Sequence, residues 1–533
     1  MKLLFTLVSL FSINAFCATY TVTNKLNSGN GSLRNAIIDA NINPGVDTIN
    51  FANNLKGTID LANALPDIND NLFISGPGSN IITLRLFSNV GVVNDRIFNF
   101  GLGSSGKNFT LSGISLKNAR GNSYDFGTSV INAGGALYLA ENNNLTLIDC
   151  KFDSNKADHG GAILNVGNLT IIGSQFSNNS SNTFGGAIYN LGSVMISDSH
   201  FQNNTAKTYG GAFYNGPQRM VQMNNVIFLK NSSLKKGGAI TTRGPTTMNN
   251  VTFESNTSEA GGACEFMETK VEVNLSSFIK NKSTLNGGAI INTANTKFTK
   301  VNFIDNEAKG EGGALFNVST LKINDSTFSG NQGSQGGAIS LSNGQDVIIT
   351  NVTFSKNKAV DGGAVYVLQA KPMFINCTLN DNTASSRGGA IANAMSEVQL
   401  VNTIISNNKS AQGQGTNCHY LPNYAQIISR GHNLENLNTC NLNAPTDIIN
   451  QNPILAPLHN YGGFTMTHAL RYNSPAVDAG DNDACPPNDQ RGIGRYDGNG
   501  DNAIVCDIGA FELKTLVFPG PGPIPAPTPF PVP

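Results

Sequence analysis

The sequence predicts a parallel β-helix, an all-β solenoid in which each coil takes about 25 residues. A Gly-Gly-Ala triplet occurs eleven times, at intervals of 24 to 27 residues. A Phe-x-x-Asn motif keeps the same phase, its Asn lying five or six residues before the following Gly-Gly. The apolar runs are only three to five residues long and are bounded by Gly or Asn, which indicates short strands rather than the helices of helical repeats. The triplets begin at Gly134, Gly160, Gly185, Gly210, Gly237, Gly261, Gly287, Gly312, Gly336, Gly362 and Gly388.

Residues 1–17 are typical of a secretory signal peptide. One Lys precedes an apolar stretch from Leu3 to Phe16, which is too short to span a bilayer, and cleavage before Ala18 fits the small residues that precede it. No later stretch of about 20 apolar residues exists. We therefore expect an exported protein that has no transmembrane segment after signal removal.

Residues 18–120 are predicted to form an N-terminal cap and the first coils, because the open end of a solenoid needs a cover of different sequence. The stretch from Gly31 to Asn41 has helical spacing, with Ser32 as its N-cap. Strands at 48–51, 72–74 and 81–84 would then begin the winding. The apolar residues expected to plug the open end are Leu33, Ala36, Ile37 and Ala40.

Residues 121–410 are predicted to form the repeats, with two or three strands in each coil. Equivalent positions in successive coils would lie about 4.8 Å apart. The Phe should form an interior column of offset rings. The Asn should take the left-handed conformation at a tight corner and bond through its amide to the next coil. These positions are Phe152, Asn155, Phe176, Asn179, Phe201, Asn204, Phe228, Asn231, Phe253, Asn256, Phe278, Asn281, Phe303, Asn306, Phe328, Asn331, Phe354 and Asn357.

Two further repeated features have structural interpretations. Gly-Gly-Ala supplies small residues where the backbone bends sharply or where another backbone approaches closely. A polar position three residues before the Phe is expected to form a second corner. It is occupied in most coils by Asp or Asn, at Asp149, Asp198, Asn225, Asn250, Asp325, Asn351 and Asn376.

Residues 411–514 are predicted to form a C-terminal module with two local disulfides. Cys418 and Cys440 lie in one segment, and Cys485 and Cys506 lie in another, which suits an exported protein. The cysteines within the coils are each more than four coils apart, about 20 Å or more, whereas a disulfide needs Cα atoms within about 7 Å. We expect these to be buried free thiols: Cys150, Cys264 and Cys377.

Residues 515–533 form a Pro-rich tail. Eight prolines stand at every second position from Pro519 to Pro533, and such a run adopts an extended polyproline II conformation. A spacer, a docking peptide and a disordered end are all open interpretations of this tail.

Composition excludes several classes of partner. Charged residues make up 13% of the chain and the net charge is −1, so no basic surface favours nucleic acid or acidic lipid. We expect a monomer whose partner is a cell-surface protein or a glycan.

The alternation of Gly-Gly-Ala-Ile with Phe-x-x-Asn over residues 134–408 resembles the repeats of polymorphic outer membrane proteins, which are bacterial surface β-helices used in adhesion. This resemblance, with the usual crossover rule, implies a right-handed β-helix. Members of that family usually end in a transmembrane β-barrel. Only 21 residues follow Glu512, whereas a small barrel needs eight strands of about ten residues, so we expect no self-insertion as an autotransporter.

The C-terminal module resembles a second family. The segments Asn473–Asp481, Asp489–Gly492 and Cys506–Glu512 look like the choice-of-anchor module of bacterial surface β-helix proteins. That resemblance implies a module that commonly precedes a surface-sorting tail.

Catalysis is the main alternative to binding, because parallel β-helices also include enzymes that cleave polysaccharides. Asp149 and Asp198 occupy equivalent corners two coils apart, about 10 Å at the backbone, which suits an acid pair. Equivalent positions elsewhere carry Asn, however, and the even coil lengths leave no long excursion to build a groove. We therefore predict no enzyme activity, with a polysaccharide lyase or hydrolase as the alternative.

The only metal candidate is a calcium loop at Asp497, Asn499 and Asp501, where oxygen ligands alternate with Gly. Asn502 stands where such a loop needs Gly, and Ile508 stands where it needs Glu, although Asp507 offers a substitute. A plain Gly/Asn turn is the alternative. No other cofactor is indicated.

The sequence thus predicts an exported, secreted or cell-surface β-helix that acts as an adhesin and binds host, bacterial or glycan ligands through the surface of the rod. A polysaccharide-cleaving enzyme and a passive envelope component are the competing functions, and the fold alone does not decide among them.

Overall fold

The computed structural model describes residues 17–87, 95–127, 129–343, 346–411, 416–420 and 425–514. Within these ranges the chain is an all-β parallel β-helix with almost no helix, as predicted. The predicted signal peptide, apart from Cys17, and the Pro-rich tail lie outside the described residues.

One coil shows how the sequence makes the repeat. Its four strands are Asn144–Ile148, Lys151–Asp153, Lys156–His159 and Ile163–Asn165. The prediction of two or three strands in each coil is one strand short here, and it holds for coils in which the first two strands join, such as that of Val221–Leu229. Two-residue and three-residue strands carry too little alternation to be recognised in the sequence.

The first and second strands of all coils form one continuous sheet of 28 strands in the described part of the chain. In four coils the two strands join into a single one. The first-strand and joined positions are Thr19–Val22, Asp47–Phe51, Leu72–Ser75, Asn108–Ser112, Asn144–Ile148, Asn168–Ile172, Ser193–Ser197, Val221–Leu229, Thr246–Glu254, Lys270–Ile279, Asn295–Ile304, Leu321–Asn324, Asp346–Thr350, Lys371–Ile375, Glu397–Val401 and Gln426–Ser429. The separate second strands are Gly57–Leu61, Ile82–Leu86, Ser115–Lys117, Lys151–Asp153, Gln175–Ser177, His200–Gln202, Thr327–Ser329, Thr353–Ser355, Thr378–Asn380, Ile404–Ser406, Leu434–Glu435 and Ile448–Ile449.

The third and fourth strands of each coil flank the Gly-Gly-Ala triplet. The third strands, in sheets of nine and three, are Asn122–Asp125, Val130–Ala133, Lys156–His159, Ser180–Phe184, Thr205–Ala206, Ser232–Ser233, Thr257–Ser258, Lys282–Ser283, Glu307–Ala308, Lys358–Asp361, Thr383–Arg387 and Lys409–Ser410. The fourth strands, in a sheet of thirteen, are Phe98–Phe100, Leu137–Leu139, Ile163–Asn165, Ile188–Asn190, Phe213–Asn215, Ile240–Thr242, Cys264–Phe266, Ile290–Asn292, Leu315–Asn317, Ile339–Ser342, Val365–Leu368, Ile391–Asn393 and Cys418–Tyr420. These counts concern the ranges given above.

The N-terminal end is closed by helix α1, Leu33–Ile42. The Ser32 side chain accepts a hydrogen bond from the backbone N–H of Asn35, so the predicted N-cap is confirmed. The predicted plug is also confirmed, because its four apolar residues are the buried ones: Leu33, Ala36, Ile37 and Ala40.

The C-terminal end of the β-helix lies beyond the predicted boundary at residue 410. Parallel pairing continues through Cys418–Tyr420, Gln426–Ser429 and Leu434–Glu435 to Ile448–Ile449. With 16 first-strand positions in the described residues, the stacked coils extend over roughly 70 Å. Residues 453–514, which we name the strap, then fold back along the rod, and they contain the antiparallel hairpin Leu455–His459 and Thr467–Leu470.

The Gly-Gly pairs meet both expectations drawn from the sequence. At Gly261 φ is +64°, a conformation that strains any residue with a Cβ. At Gly262 a Cβ would lie 2.1 Å from the carbonyl oxygen of Gly288 in the next coil. The first Gly therefore makes the turn, and the second allows the coils to stack at strand spacing.

The Asn of Phe-x-x-Asn does not take the left-handed conformation, so that prediction was wrong. The residue before it does, for example Ser154 with φ +58° and Asn203 with φ +54°. Asn155 and Asn204 are buried instead, because their amides are used inside the core. The predicted second corner does turn through left-handed residues, including Asp149 with φ +52°.

Candidate functional site

In the coils from Phe152 to Phe354, the second strand presents one Phe to the core and its two neighbours to the outside. The buried rings stack on one another from Phe152 to Phe354, with centroids 4.4–5.1 Å apart and ring planes within 2–13°. Beside them, the Asn residues form a continuous ladder of amide hydrogen bonds. These two columns hold the outward side chains at a fixed spacing of about 4.8 Å.

The outward side chains of this column divide the rod into two halves. In the coils from Lys151 to Ile279 they are exposed or half-buried, and this surface is named the open face. It includes Gln175, His200 and Gln202. In the later coils the same positions are buried beneath the strap and are mostly small and polar: Thr327, Ser329, Thr353, Ser355, Thr378, Asn380, Ile404 and Ser406.

Gln490 is the central polar contact between strap and rod. Its side-chain oxygen accepts from the Thr353 hydroxyl at 2.6 Å, and its Nε2 donates to Thr327 Oγ1 at 3.0 Å. Nε2 also donates to Thr465 Oγ1 and to the Met466 carbonyl, so this buried amide is fully paired. A buried amide with complete pairing fixes the register of the strap on the coils.

The strap is also docked over the second-corner column. The Asn402 side chain accepts from the N–H of Asp481 at 2.8 Å and donates to the carbonyl of that residue at 3.0 Å. Asn376 donates to the carbonyl of Asp507 at 3.1 Å. Apolar contacts complete the interface, since Ile404 of the rod belongs to one buried cluster with Ile508 and Phe511 of the strap.

The segments that resemble a choice-of-anchor module are largely buried within the strap and its interface with the rod. Asp489 pairs with Arg491 at 2.7 Å, and the Arg491 guanidinium stacks on the Phe511 ring at 3.6 Å. Glu512 pairs with Arg495 at 2.7 Å. These contacts assign the motif residues a structural part in holding the strap.

Two carboxyl groups in this cluster carry raised pKa values. Burial, then the charge of Glu512, raises the pKa of Asp507 to about 8. Burial also raises the pKa of Glu512, although hydrogen bonds from Tyr496 and Arg495 oppose the shift. Both side chains accept backbone N–H groups, including Leu513 on Asp507 and Tyr496 on Glu512. The cluster is therefore sensitive to pH through its own folding contacts.

The disulfides pair as the local spacing predicted. Cys418 joins Cys440, where the last coils meet the segment that closes the core. Cys485 joins Cys506 within the strap. The three predicted thiols of the coils, Cys150, Cys264 and Cys377, are free and buried. Burial raises the pKa of Cys150 and of Cys377 to about 12, so these two thiols stay protonated at neutral pH.

The open face contains a shallow depression that spans four coils. Its floor and rim are formed by side chains that offer amide, imidazole, carboxylate and aliphatic groups: Gln175, Ser177, His200, Gln202, Ile227, Leu229 and Glu254. Ile227 is 37% exposed, and a second depression on the first-strand side exposes Met195 and Met220 by 54% and 55%. The surface therefore combines hydrogen-bonding groups with apolar contact area, as ligand sites do.

Among the described residues, the carboxylates considered for catalysis belong to no group of three or more acidic, His or Cys side chains that could hold a metal ion. Asp149 and Asp198 both stand at the second corner, between the first and second strands. The Asp198 side chain accepts a hydrogen bond from Asn225 at 3.0 Å, as a member of a polar corner column does.

The candidate calcium residues lie in an exposed turn of the strap. Asp497 accepts from the N–H groups of Gly500 and Asn502, and Asp501 accepts from that of Ala503. Asn499 accepts from the N–H of Asp501 at 2.9 Å. In the part of the chain that is described, no three His, Cys, Asp or Glu side chains are grouped so that they could hold a metal ion.

Among the described residues, no helix is long and apolar enough to cross a membrane.

Two family models match parts of the chain. The right-handed β-helix region model matches residues 239–410. The Chlamydia polymorphic membrane protein repeat model matches three segments, at 173–191, 198–216 and 225–243. No curated protein matches the chain.

Three solved structures are similar in part. Tailspike protein 3 of bacteriophage CBA120 aligns over 75% of this chain and 58% of its own, with 10% identity and a TM-score of 0.32. The mannuronan C-5 epimerase AlgE6 A-module of Azotobacter vinelandii aligns over 78% and 99%, with 11% identity and a TM-score of 0.31. Pectate lyase Pel9A aligns over 93% and 96%, with 14% identity and a TM-score of 0.24.

The matched repeats coincide with the Gly-Gly-Ala and Phe-x-x-Asn columns of the structure, and the match to the right-handed β-helix region continues through the later coils. The chain is a right-handed parallel β-helix protein that carries repeats of the polymorphic membrane protein type.

Proposed function

We propose that this chain is an exported, adhesin-like rod that binds an extended glycan along its open face at the bacterial surface or after secretion. The observation that carries the proposal is the contrast between the two halves of one face. The later coils bear small side chains that are buried under the strap, whereas the earlier coils bear larger, exposed ones.

The chemistry of the open face suits a glycan. Gln175, Gln202 and His200 offer hydrogen-bond donors and acceptors, and Ile227 offers apolar contact beside them. One coil spacing is close to the length of one sugar residue in an extended chain. Successive coils can therefore contact successive sugars, and weak contacts then add through multivalency.

Surface location rests on two supports. The chain carries repeats of the polymorphic membrane protein type, and its disulfides suit an oxidising compartment outside the cytoplasm. Calcium is not required by this proposal, and a monomer suffices, because each rod carries its own series of coils.

The proposal is tested with a double variant of the open face, His200→Ala with Gln202→Ala. Both residues are exposed, so we expect stability to change by no more than about 0.5 kcal/mol. Glycan affinity should fall about tenfold or more, since two contacts at the centre of the site are lost. The measurement is surface plasmon resonance on immobilised bacterial and host glycans.

A matched control uses the same residue types elsewhere, His459→Ala with Gln426→Ala, because both residues are exposed outside the open face. This control should bind glycan as the parent does. Equal binding by the two double variants would show that the open face is not the site. If the protein bound surface proteins but no glycan, the proposed glycan ligand would be wrong and a protein ligand would take its place.

A further inference from the structure

The Gly-Gly turns create a second surface, at the corner where the third and fourth strands meet. Outward side chains from the two strands pack against each other there, outside the main core. In the early coils aromatic rings fill this corner. The rings of Phe184 and Tyr214 are 4.8 Å apart, and those of His159 and Tyr189 are 5.0 Å apart.

The central residue of the fourth strand is equivalent from coil to coil. Tyr189 pairs with Tyr214 in register, so a large ring follows a large ring in these two coils. In the late coils Tyr366 pairs with Ala392, and Ala392 pairs with His419. The methyl group of Ala392 thus stands between the rings of Tyr366 and His419, two residues whose backbones lie two coils, or about 10 Å, apart.

The missing side chain leaves a cavity of about 160 Å³, which we name the Ala392 slot. Asp361, Tyr366, Arg387 and His419 line it, together with the small residues Ala392 and Ala394. Asp361 is 7% exposed and is held by Arg387 through two hydrogen bonds, of 3.1 and 3.0 Å. Such a two-point pair fixes the polar wall of the slot before any ligand arrives.

His419 supplies an unused hydrogen-bonding group. Its Nε2 is buried and has no partner within the described part of the chain. A buried polar atom without a partner is costly unless another group pairs with it. Burial, then the charge of Arg387, lowers the pKa of His419, although Asp361 opposes the shift, so the imidazole is neutral at pH 7.

We propose that the Ala392 slot binds one uncharged pyranose unit of a glycan between the Tyr366 and His419 rings. The cavity is about the size of one sugar ring, and two ring faces suit the C–H faces of a pyranose. His419 Nε2 and the Asp361–Arg387 pair lie where sugar hydroxyls need donors and acceptors. The Asp361 and Arg387 charges cancel, which favours a neutral sugar over an anionic one. The slot lies on a different sheet from the open face, so it stands independently of the proposed function.

The test is saturation-transfer NMR on the exported chain with the methyl glycosides of glucose, galactose, mannose and N-acetylglucosamine. Glucuronic acid serves as the anionic comparison. The Ala392→Tyr variant places in the slot the side chain that Tyr189 and Tyr214 already place at equivalent corners, so it should fold. We expect it to lose about tenfold or more in affinity for the preferred neutral glycoside.

Two further variants separate filling of the slot from loss of a contact. Ala392→Ser keeps the slot open and should bind within about twofold of the parent, whereas His419→Phe keeps the ring but removes Nε2 and should bind several-fold more weakly. No transfer to any neutral glycoside would overturn the proposal, as would unchanged binding by Ala392→Tyr or a preference for glucuronic acid. Thermal melting of each variant establishes that it is folded.

Discussion

At the scale of single residues, the Asn of each coil satisfies every polar group that it brings into the core. The N–H and the Nδ2 of Asn256 both donate to Asn281 Oδ1 at 3.0 Å, and Nδ2 also donates to the Phe228 carbonyl. Its own Oδ1 accepts from the N–H and the amide of Asn231. A buried polar column is stable only when pairing is this complete, which explains why Asn recurs at this position in every repeat.

The stacked Phe column gives a prediction for Phe253→Ala. The ring is fully buried between Phe228 and Phe278, 5.0 and 4.7 Å away. Its removal leaves a cavity in the middle of the rod, so the free energy of unfolding should fall by about 3–5 kcal/mol in chemical denaturation. The exposed variant Gln175→Ala should change it by no more than about 0.5 kcal/mol. A loss of only a few tenths in Phe253→Ala would contradict the packing.

At the scale of elements, the strap stabilises half of one face of the rod through polar contacts with hydroxyl side chains. Most of the buried positions beneath it are Thr, Ser or Asn, and Gln490 joins Thr327 to Thr353. Such contacts hold the strap in one register but leave buried hydroxyls unpaired when it detaches partly.

We therefore predict that Gln490→Leu, which keeps the volume of the side chain and removes its amide, weakens docking of the strap by about 2 kcal/mol or more. Hydrogen exchange followed by mass spectrometry should show lower protection over residues 453–514 and unchanged protection over the coils from 144 to 177. The exposed variant Gln451→Leu is the matched control. Equal protection of the strap in both variants would contradict the assignment of Gln490.

The strap should also respond to pH through Asp507 and Glu512. The folded pKa of each is raised, so the folded strap binds more protons than the unfolded chain at intermediate pH. The stabilisation is complete below the ordinary carboxyl pKa and is lost as the pH rises towards the folded value, about 8 for Asp507. Protection factors of the strap should therefore fall between about pH 4 and about pH 8. The Asp507→Asn variant should flatten this dependence, and a rise in protection with pH would contradict it.

At the scale of the whole molecule, the repeats made the fold predictable, whereas the docking of the non-repeating strap on the rod was not predicted. Periodic positions identify themselves by recurrence, so the coils, the stacked Phe column and the N-terminal plug followed from the sequence. The strap contacts the rod through residues such as Gln490 and Asn402, far apart in the chain and without periodicity. One signal of the strap was present in the sequence. At Phe328 and Phe354 the residues on either side of the Phe are Thr and Ser, whereas earlier coils carry larger outward residues.

The candidate sites were harder to predict because they depend on register. Asp149 and Asp198 were expected at equivalent corners from their spacing, and the structure has both at turn positions of that polar column. The Ala392 slot is visible only when Ala392 is aligned between Tyr366 and His419 by strand pairing. The spacing of the motifs predicted the length of a coil, but it did not predict which outward side chains of neighbouring coils lie together.

The central claim is that the rod binds glycans without cleaving them. The most direct test applies purified residues 18–533 to a glycan array, with calcium and with chelator, while the same glycans are assayed for cleavage. The account predicts binding that persists in chelator and releases no product. New reducing ends or unsaturated products would contradict it and would direct attention to Asp149 and Asp198, and the absence of binding to every glycan would contradict it as well.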